Sequence, residues 1–301
     1  EDFIRAIEEG AGLDLGQVRR WYEQAGTPKV SVGLDHDGDT AIVRLRQEVP
    51  PTPGQTEKKP VPSPLRLALF DRATGEHDGE QLVTFEQSEA SLSFDGFAEQ
   101  PVLSINRGFS APVAIERPVV LEDLVFLAAH DDDPFARYEA MQQLMLDTLL
   151  AAAAGGAADH EPVVEAVRHT LGDPALDPAF VAEAVLLPSE SFIGDRMLVV
   201  DPGAIHARRE ALRAELGRSL EPLWRDAYAA HAANRYEYSP AAKGARRLRT
   251  IALGYIDASG AGDAPALAKR QYDEADNMTD RQGALGVLAN GDSIEREPAL
   301  A

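Results

Sequence analysis

The sequence predicts a small antiparallel β-sandwich followed by an α-helical, solenoid-like (superhelical) domain, with two leading helices before the sandwich. A hydrophobic period near two over residues 29–116 is typical of strands that bury one face. After Arg117 and Pro118 the period becomes about 3.6, which is typical of amphipathic helices. The stretch RRWYEQAGTPKVSV at residues 19–32 changes from a helical to a strand pattern in its middle.

Composition bounds the class of protein. A chain of 301 residues with 44% hydrophobic residues has material for about two domains with real cores. Its 50 acidic and 29 basic residues give a net charge of −21, which repels phosphate backbones and excludes a nucleic-acid partner. The absence of cysteine excludes disulfides and thiolate metal sites. No apolar run approaches the roughly 20 residues of a membrane span, so we expect no membrane partner.

Two short helices are predicted before the sandwich. The first places Phe3, Ile4 and Ile7 on one face and ends near Gly10 and Gly12. In the second, Asp14 is the expected N-cap and Gln17 completes a capping box. Its apolar stripe comprises Leu15, Val18, Trp21 and Tyr22. We expect the sandwich to bury this stripe only in part, so that it provides a surface for self-association.

Short strands are predicted at 30–34, 41–45, 65–69, 82–85, 90–94, 102–105 and 113–115. Six prolines between Pro50 and Pro64 rule out a central strand there and predict an irregular crossover. About seven short strands in this length favour a sandwich. The change to helices is expected within residues 116–120.

Helical patterns fill the remainder of the chain. Leu121, Leu124 and Ala128 belong to the first, and Asp133-Pro134 is a cap followed by proline at the first helical position. Further Asp-Pro and Ser-Pro pairs are expected to mark the limits of later helices. A last helix is expected at 293–301, frayed for want of a packing partner. The array resembles stacked helix pairs, although no fixed sequence period marks a repeat.

Two short motifs have a metal interpretation and a structural one. HEPVV at 160–164 is half of a zinc-protease motif, but Val164 stands where the second histidine is needed. We therefore interpret it as a helix N-terminus. DHDGD at 35–39 concentrates carboxylates as a calcium loop does, yet its glycine and final acid are misplaced. A solvated hairpin turn is the favoured interpretation.

Two charged stretches also have alternatives. HDDDPF at 130–135 is either a metal cluster or, as we favour, a cap at Asp133 with Asp131 and Asp132 near the helix N-terminus. The basic residues of 243–249 could grip an anion through Arg246 and Arg249. A solvated helix face balanced by acids is the default interpretation.

Several long segments resemble the bacterial aminopeptidase N family, the zinc metallo-aminopeptidases. RRWYEQAGTP (19–28) resembles the end of that family's thermolysin-like catalytic domain, and RGFSAPV (107–113) resembles the close of its β-sandwich domain. Three more segments resemble its C-terminal helical domain: LDPAFVAEAVLLPSE (176–190), DPGAIHARREALR (201–213) and EADNMTD (274–280). The resemblance covers essentially the whole chain, in the family's order.

The resemblance implies no active-site residue in this chain. The family's G-A-M-E-N segment, its H-E-x-x-H helix with a distal glutamate, and its oxyanion-stabilising tyrosine all have no counterpart here. We therefore assign no catalytic, cofactor-binding or metal-ligating residue, expect no cofactor in this chain and expect zinc only in the full-length parent. The chain alone is predicted to be inactive.

The resemblance also implies a division and a role. Residues 1–27 would end a catalytic domain, 28–117 form the β-sandwich, and 118–301 begin the C-terminal helical domain. The segment would buttress the catalytic domain and help wall the active-site chamber of a bacterial, cytoplasmic peptidase. The expected partners are the missing segments of the parent protein and the peptide substrates of that parent. The alternative is a free-standing sandwich and solenoid that presents a concave protein-binding surface.

Overall fold

The computed structural model describes residues 2–77, 79–118, 120–156, 159–233 and 235–301. Packing divides the chain into two compact units, Glu1–Ala136 and Arg137–Ala301. The first unit contains the strands and the second is helical, so the predicted order of strands and then helices is confirmed. Val119, inside the expected change at 116–120, lies outside the described residues. The predicted domain limits stay a prediction.

The strands of the first unit form two sheets, with order β5-β2-β1-β7 in one and β4-β3-β6 in the other. Every predicted strand is present. Their bounds are β1 Lys29–Asp37, β2 Thr40–Glu48, β3 Ser63–Phe70, β4 Gln81–Phe85, β5 Glu89–Asp95, β6 Val102–Ile105 and β7 Ala114–Glu116. The pairs are antiparallel except β1 with β7.

Alternation places one face of each sheet in a shared core. Val30 and Val32 of β1 and Ala41, Val43 and Leu45 of β2 are buried in it. Residues from β3, Leu65, Leu67 and Leu69, complete the opposite side of this core. Apolar side chains at period two therefore account for the sandwich, because each buried side chain of this size contributes about 1.5–3 kcal/mol.

The proline-rich crossover between β2 and β3 is held by one buried glutamine. Gln47 is 4% exposed. Its Nε2 donates to the carbonyl of Val61 at 2.9 Å, and its Oε1 accepts from the Val61 amide at 2.6 Å. A segment that cannot join a strand ladder thus has its backbone groups satisfied by a side chain.

The leading helices are α1, Asp2–Ala11, and α2, Arg20–Glu23. The first was predicted, but the second is a single turn rather than the predicted helix from Asp14. The Asp14 carboxylate accepts from the Gly16 amide in a local turn instead of capping a helix. The residues between this turn and α2 form turns with hydrogen bonds between positions i and i−3, such as the one from Val18 N to Leu15 O.

The stripe that includes Trp21 is partly covered by its own unit. Trp21 packs against the sandwich core, and its Nε1 donates to the carbonyl of Pro62 at 2.8 Å. Leu15 and Val18 are half-buried, whereas Tyr22 is 77% exposed. Residual exposure therefore remains at Tyr22, as well as at Phe3 of α1, which is 73% exposed.

Beyond the sandwich the chain is helical. Helix α3, Leu121–His130, belongs to the first unit, and α4, Pro134–Ala153, begins there. The later helices are α5 Glu161–Gly172, α6 Pro178–Ala184, α7 Glu190–Gly194, α8 Pro202–Ser219, α9 Glu221–Ala230, α10 Pro240–Ala258, α11 Ala264–Glu274, α12 Met278–Asn290 and α13 Arg296–Leu300. Asp177, Asp201 and Ser239 each accept a hydrogen bond from a first-turn amide, so the Asp-Pro and Ser-Pro starts are confirmed at these three helices.

Helix α10 is the packing centre of the second unit. It contacts α6, α8, α9, α11 and α12. Its Tyr255 stacks on Trp224 with ring centroids 4.2 Å apart and donates to the carbonyl of Val185 at 2.7 Å. Gly217 of α8 lies so close to α10 that an added Cβ would stand 2.5 Å from the carbonyl oxygen of Tyr255.

Replacing Gly217 with alanine should destabilise the second unit. The new methyl group would meet backbone atoms of α10, which cannot move aside as a side chain can, and overpacking of this kind costs about 1–3 kcal/mol. Gly286→Ala is the matched control, because nothing lies within 4 Å of its added Cβ and alanine favours helix by about 1 kcal/mol. Urea unfolding should therefore show a lower free energy of unfolding for Gly217→Ala and a higher one for Gly286→Ala. Equal losses of unfolding free energy in the two variants would contradict the close approach of α8 and α10.

Candidate functional site: a buried arginine and carboxylate cluster

The half-motif HEPVV forms the start of α5. His160 is the N-cap position and Glu161 is the first helical residue. Val164 is 1% exposed and belongs to the core. The interpretation as a helix N-terminus is confirmed, and a zinc ion does not fit here because the second ligand position is a buried valine.

DHDGD forms the turn between β1 and β2. Asp37 pairs with Thr40 across the hairpin, and Gly38 adopts a left-handed φ of 65°. Asp35 forms an ion pair with Arg44 at 2.9 Å, with both side chains more than half exposed. The solvated hairpin interpretation is therefore confirmed.

HDDDPF lies between α3 and α4, where its three aspartates have different partners. Asp133 accepts from the Ala136 amide at 2.8 Å, which confirms it as the cap of α4. Asp131 and Asp132 both accept from one guanidinium, that of Arg107. The distance from Arg107 Nη2 to Asp131 Oδ1 is 3.1 Å, and the two side chains are 3% and 0% exposed.

A tight turn presents Arg107 to these carboxylates. Asn106 and Phe109 have positive φ of 61° and 51°, and the Asn106 side chain accepts from the Ala111 amide at 2.9 Å. Gly108, also at positive φ, donates its amide to Asp133 Oδ1 at 2.9 Å. The turn between β6 and β7 is thus joined to the α3–α4 junction by side-chain and backbone bonds.

Other polar and charged groups surround the pair. Arg107 Nη1 lies 3.5 Å from the Glu80 carboxylate, and His77 Nε2 lies 3.2 Å from Asp132 Oδ1. Arg117 donates to the carbonyl of Leu103 at 2.7 Å. We refer to Arg107, Asp131, Asp132, Glu80 and His77 as the Arg107 cluster.

The two aspartates of the cluster titrate in opposite directions. Burial raises the pKa of Asp131 above its ordinary 3.8, more than hydrogen bonds and the charge of Arg107 lower it. Burial also acts to raise the pKa of Asp132, but hydrogen bonding to His77 and the charge of Arg107 outweigh it and bring the pKa below 3.8. The difference follows exposure, since Asp132 is 65% exposed and Asp131 is not exposed.

The basic stretch of α10 is tied to its own unit. Arg246 is 5% exposed, lies 4.9 Å from the centre of the Tyr236 ring and donates to the carbonyl of Glu237 at 2.9 Å. Arg249 lies 4.7 Å from the Tyr228 ring centre. The predicted solvated face is therefore wrong for Arg246, because stacking on tyrosine and a carbonyl acceptor compensate its burial.

The arrangement is suited to holding elements together rather than to bond chemistry. Within the part of the chain that the structure describes, no group of three or more His, Asp or Glu side chains could hold a metal ion. The carboxylates of the Arg107 cluster are directed at a guanidinium, which cannot exchange a proton near neutral pH. Sequence reasoning singled out HDDDPF but missed its partner, 24 positions earlier.

Comparison with known proteins gives the family. The family model described as "Domain of unknown function (DUF3458_C) ARM repeats" matches residues 121–301. The chain belongs to this family. A second model, "Domain of unknown function (DUF3458) Ig-like fold", matches residues 26–118 of the same chain. The predicted β-sandwich and helical superhelix classes are confirmed.

Curated relatives agree with the resemblance to aminopeptidase N. The chain is 33% identical to aminopeptidase N of Escherichia coli over 95% of its length and 35% of the relative's. It is 34% identical to aminopeptidase N of Caulobacter vibrioides and 30% identical to that of Haemophilus influenzae, covering all of this chain and 35% and 36% of theirs. The resemblance is confirmed, and the chain spans about a third of the length of these relatives.

A solved structure shares the fold. The aminopeptidase A of Legionella pneumophila, crystallised with aspartic acid, superposes with a TM-score of 0.84 at 22% identity. The match covers 99% of this chain and 36% of that one. Separately, no described helix has the length and apolarity needed to cross a membrane.

Removing the guanidinium should lower the stability of the first unit markedly. Arg107→Met leaves Asp131 buried without its positive partner, and breaking a buried pair in this way costs about 3–5 kcal/mol. Arg44→Met breaks an exposed pair with Asp35 and should cost less than about 1 kcal/mol. Urea unfolding of both variants measures the difference, and equal losses would contradict a dominant role for Arg107.

The pH dependence of the two aspartates should have opposite signs. Since the folded pKa of Asp131 is raised, the wild type loses unfolding free energy as pH rises from the ordinary carboxyl pKa of 3.8 through the folded pKa. The stability of Asp131→Asn relative to wild type should therefore increase over that rise in pH. The pKa of Asp132 is lowered, so its ionised form stabilises the folded protein above pH 3.8. The loss of unfolding free energy caused by Asp132→Asn should therefore be smallest in acid. Unfolding free energies across pH 3–7 test both signs; parallel profiles would contradict this assignment.

Proposed function

We propose that this chain is a non-catalytic segment of a zinc aminopeptidase that removes N-terminal amino acids from peptides. The observation that carries the proposal is similarity over nearly the whole chain to about a third of three aminopeptidase N sequences. Within the parent, residues 1–27 would end the catalytic domain, 28–117 form the sandwich and 118–301 begin the C-terminal helical domain.

The role proposed for the segment is mechanical. It would buttress the catalytic domain and help wall the chamber through which peptides reach the active site. The apolar side chains of Phe3, Leu13 and Tyr22 in its first residues are 73%, 57% and 77% exposed, so such a contact would bury apolar surface and be favourable. In the isolated chain the patch of Leu15, Val18, Trp21 and Tyr22 would favour self-association.

Zinc would belong to the parent and not to this segment. Val164 is buried where HEPVV would need its second ligand, so this motif does not fit the metal, and no other group of the described residues could hold one. We accordingly assign no step of hydrolysis to any residue here. By the resemblance alone, we propose a cytoplasmic location in a bacterium.

The isolated chain should neither retain zinc through dialysis nor hydrolyse alanine p-nitroanilide, whereas the complete reading frame that contains it should do both. Elemental analysis and a turnover assay of the two proteins make the comparison. One tightly held zinc per isolated chain with measurable turnover would contradict the proposal. An inactive, zinc-free product of the complete frame would instead favour a free-standing interaction module.

A further inference from the structure

A cleft of about 470 Å³ lies in the second unit and has no role in the function proposed above. Its walls come from α4, the end of α6, the segment before α7, and α7 with the turn after it. Gln142 of α4 donates its Nε2 to the carbonyl of Leu186 at 2.9 Å, which fastens the segment after α6 to α4. The volume is within the range of small-ligand sites, about 300–1,000 Å³.

The α4 and α6 side of the cleft is acidic. Glu139 has no ion-pair partner among the described residues, and Glu183 shares its charge with Arg247 at 3.2 Å. Burial raises the pKa of Tyr138, and the negative charges of Glu139 and Glu183 raise it further, so both carboxylates act on this phenol. Partial burial also raises the pKa of Glu139, although this residue is still exposed to solvent by its surface area. A carboxylate without a counter-ion attracts a cation beside it.

The α7 side of the cleft is basic. The Arg196 guanidinium lies 5.3 Å from the centre of the Phe192 ring, and both residues line the cleft. No carboxylate of the described residues pairs with Arg196. A guanidinium beside an aromatic ring still has N–H groups available for a carboxylate, which it can bind through two hydrogen bonds.

We propose that this cleft binds the two charged ends of a free amino acid or a short peptide. The ammonium group would lie against Tyr138, Glu139 and Glu183, where two carboxylates and an aromatic ring stabilise a cation. The carboxylate would bind Arg196. The proposal does not depend on the aminopeptidase role, because it rests on side chains of the second unit alone.

Calorimetric titration of the 301-residue chain with L-alanine, dialanine and trialanine tests the site. At least one of these probes should bind, and N-acetylation or C-terminal amidation should each weaken its binding about tenfold, as expected when a charge-assisted hydrogen bond is lost. Comparison of the three lengths distinguishes a free amino acid from a peptide. Failure of all three to bind at about 10 mM would overturn the proposal.

Variants test the two sides separately. Glu139→Gln should weaken the binding of probes with a free amine about tenfold and leave the binding of N-acetylated probes unchanged. Arg196→Gln should weaken the binding of probes with a free carboxylate about tenfold and leave the binding of amidated probes unchanged. The controls are Glu165→Gln and Arg168→Gln, which break an exposed ion pair on α5 outside the cleft and should leave affinity unchanged. The proposal would be overturned if blocking either terminus of the probe left its affinity unchanged, or if the control variants weakened binding as much as Glu139→Gln and Arg196→Gln do.

Discussion

The salt bridge between Arg107 and Asp131 is the interaction on which the attachment of α3 and the start of α4 to the sandwich depends. Both side chains are almost fully buried, and charges can be buried only when they are paired and hydrogen-bonded. The pair therefore requires the turn after β6 and the junction of α3 with α4 to meet in one arrangement. The Gly108 amide also donates to the Asp133 carboxylate at the same place, so the beginning of α4 is fixed together with the end of α3.

The second unit relies on a different device, close approach of helices around α10. Gly217 allows α8 to reach its backbone, Gly244 allows α10 to reach Ala179, and the Trp224–Tyr255 stack fills the remaining space. Arg246 and Arg249 of α10 lie against the rings of Tyr236 and Tyr228. The cleft beside α4 is lined by Glu139 and Arg196, which have no ion-pair partner among the described residues, whereas Arg213 and Arg225 of the same unit have hydrogen-bond partners.

Periodicity was sufficient to predict the strands and most helix starts, because burial of alternate side chains and caps such as Asp177 are local signals. The second leading helix was predicted too long. The local turn at Asp14 and the long-range hydrogen bond from Trp21 to Pro62 determine the chain path there, and helix propensity predicts neither of them. Arg107 was missed as a structural centre for a similar reason. A lone arginine in a loop gives no pattern, and its partner lies 24 residues away.

Hydrogen–deuterium exchange of the Arg107→Met variant tests the central claim most directly, namely that this guanidinium fastens α3 and the start of α4 to the sandwich. The account predicts that amides of α3, Leu121–His130, lose much more protection than those of β1 and β2, whose core does not contain Arg107. Arg44→Met should leave both regions as in the wild type. Unchanged protection of α3, or equal loss in α3 and the central strands, would contradict the account.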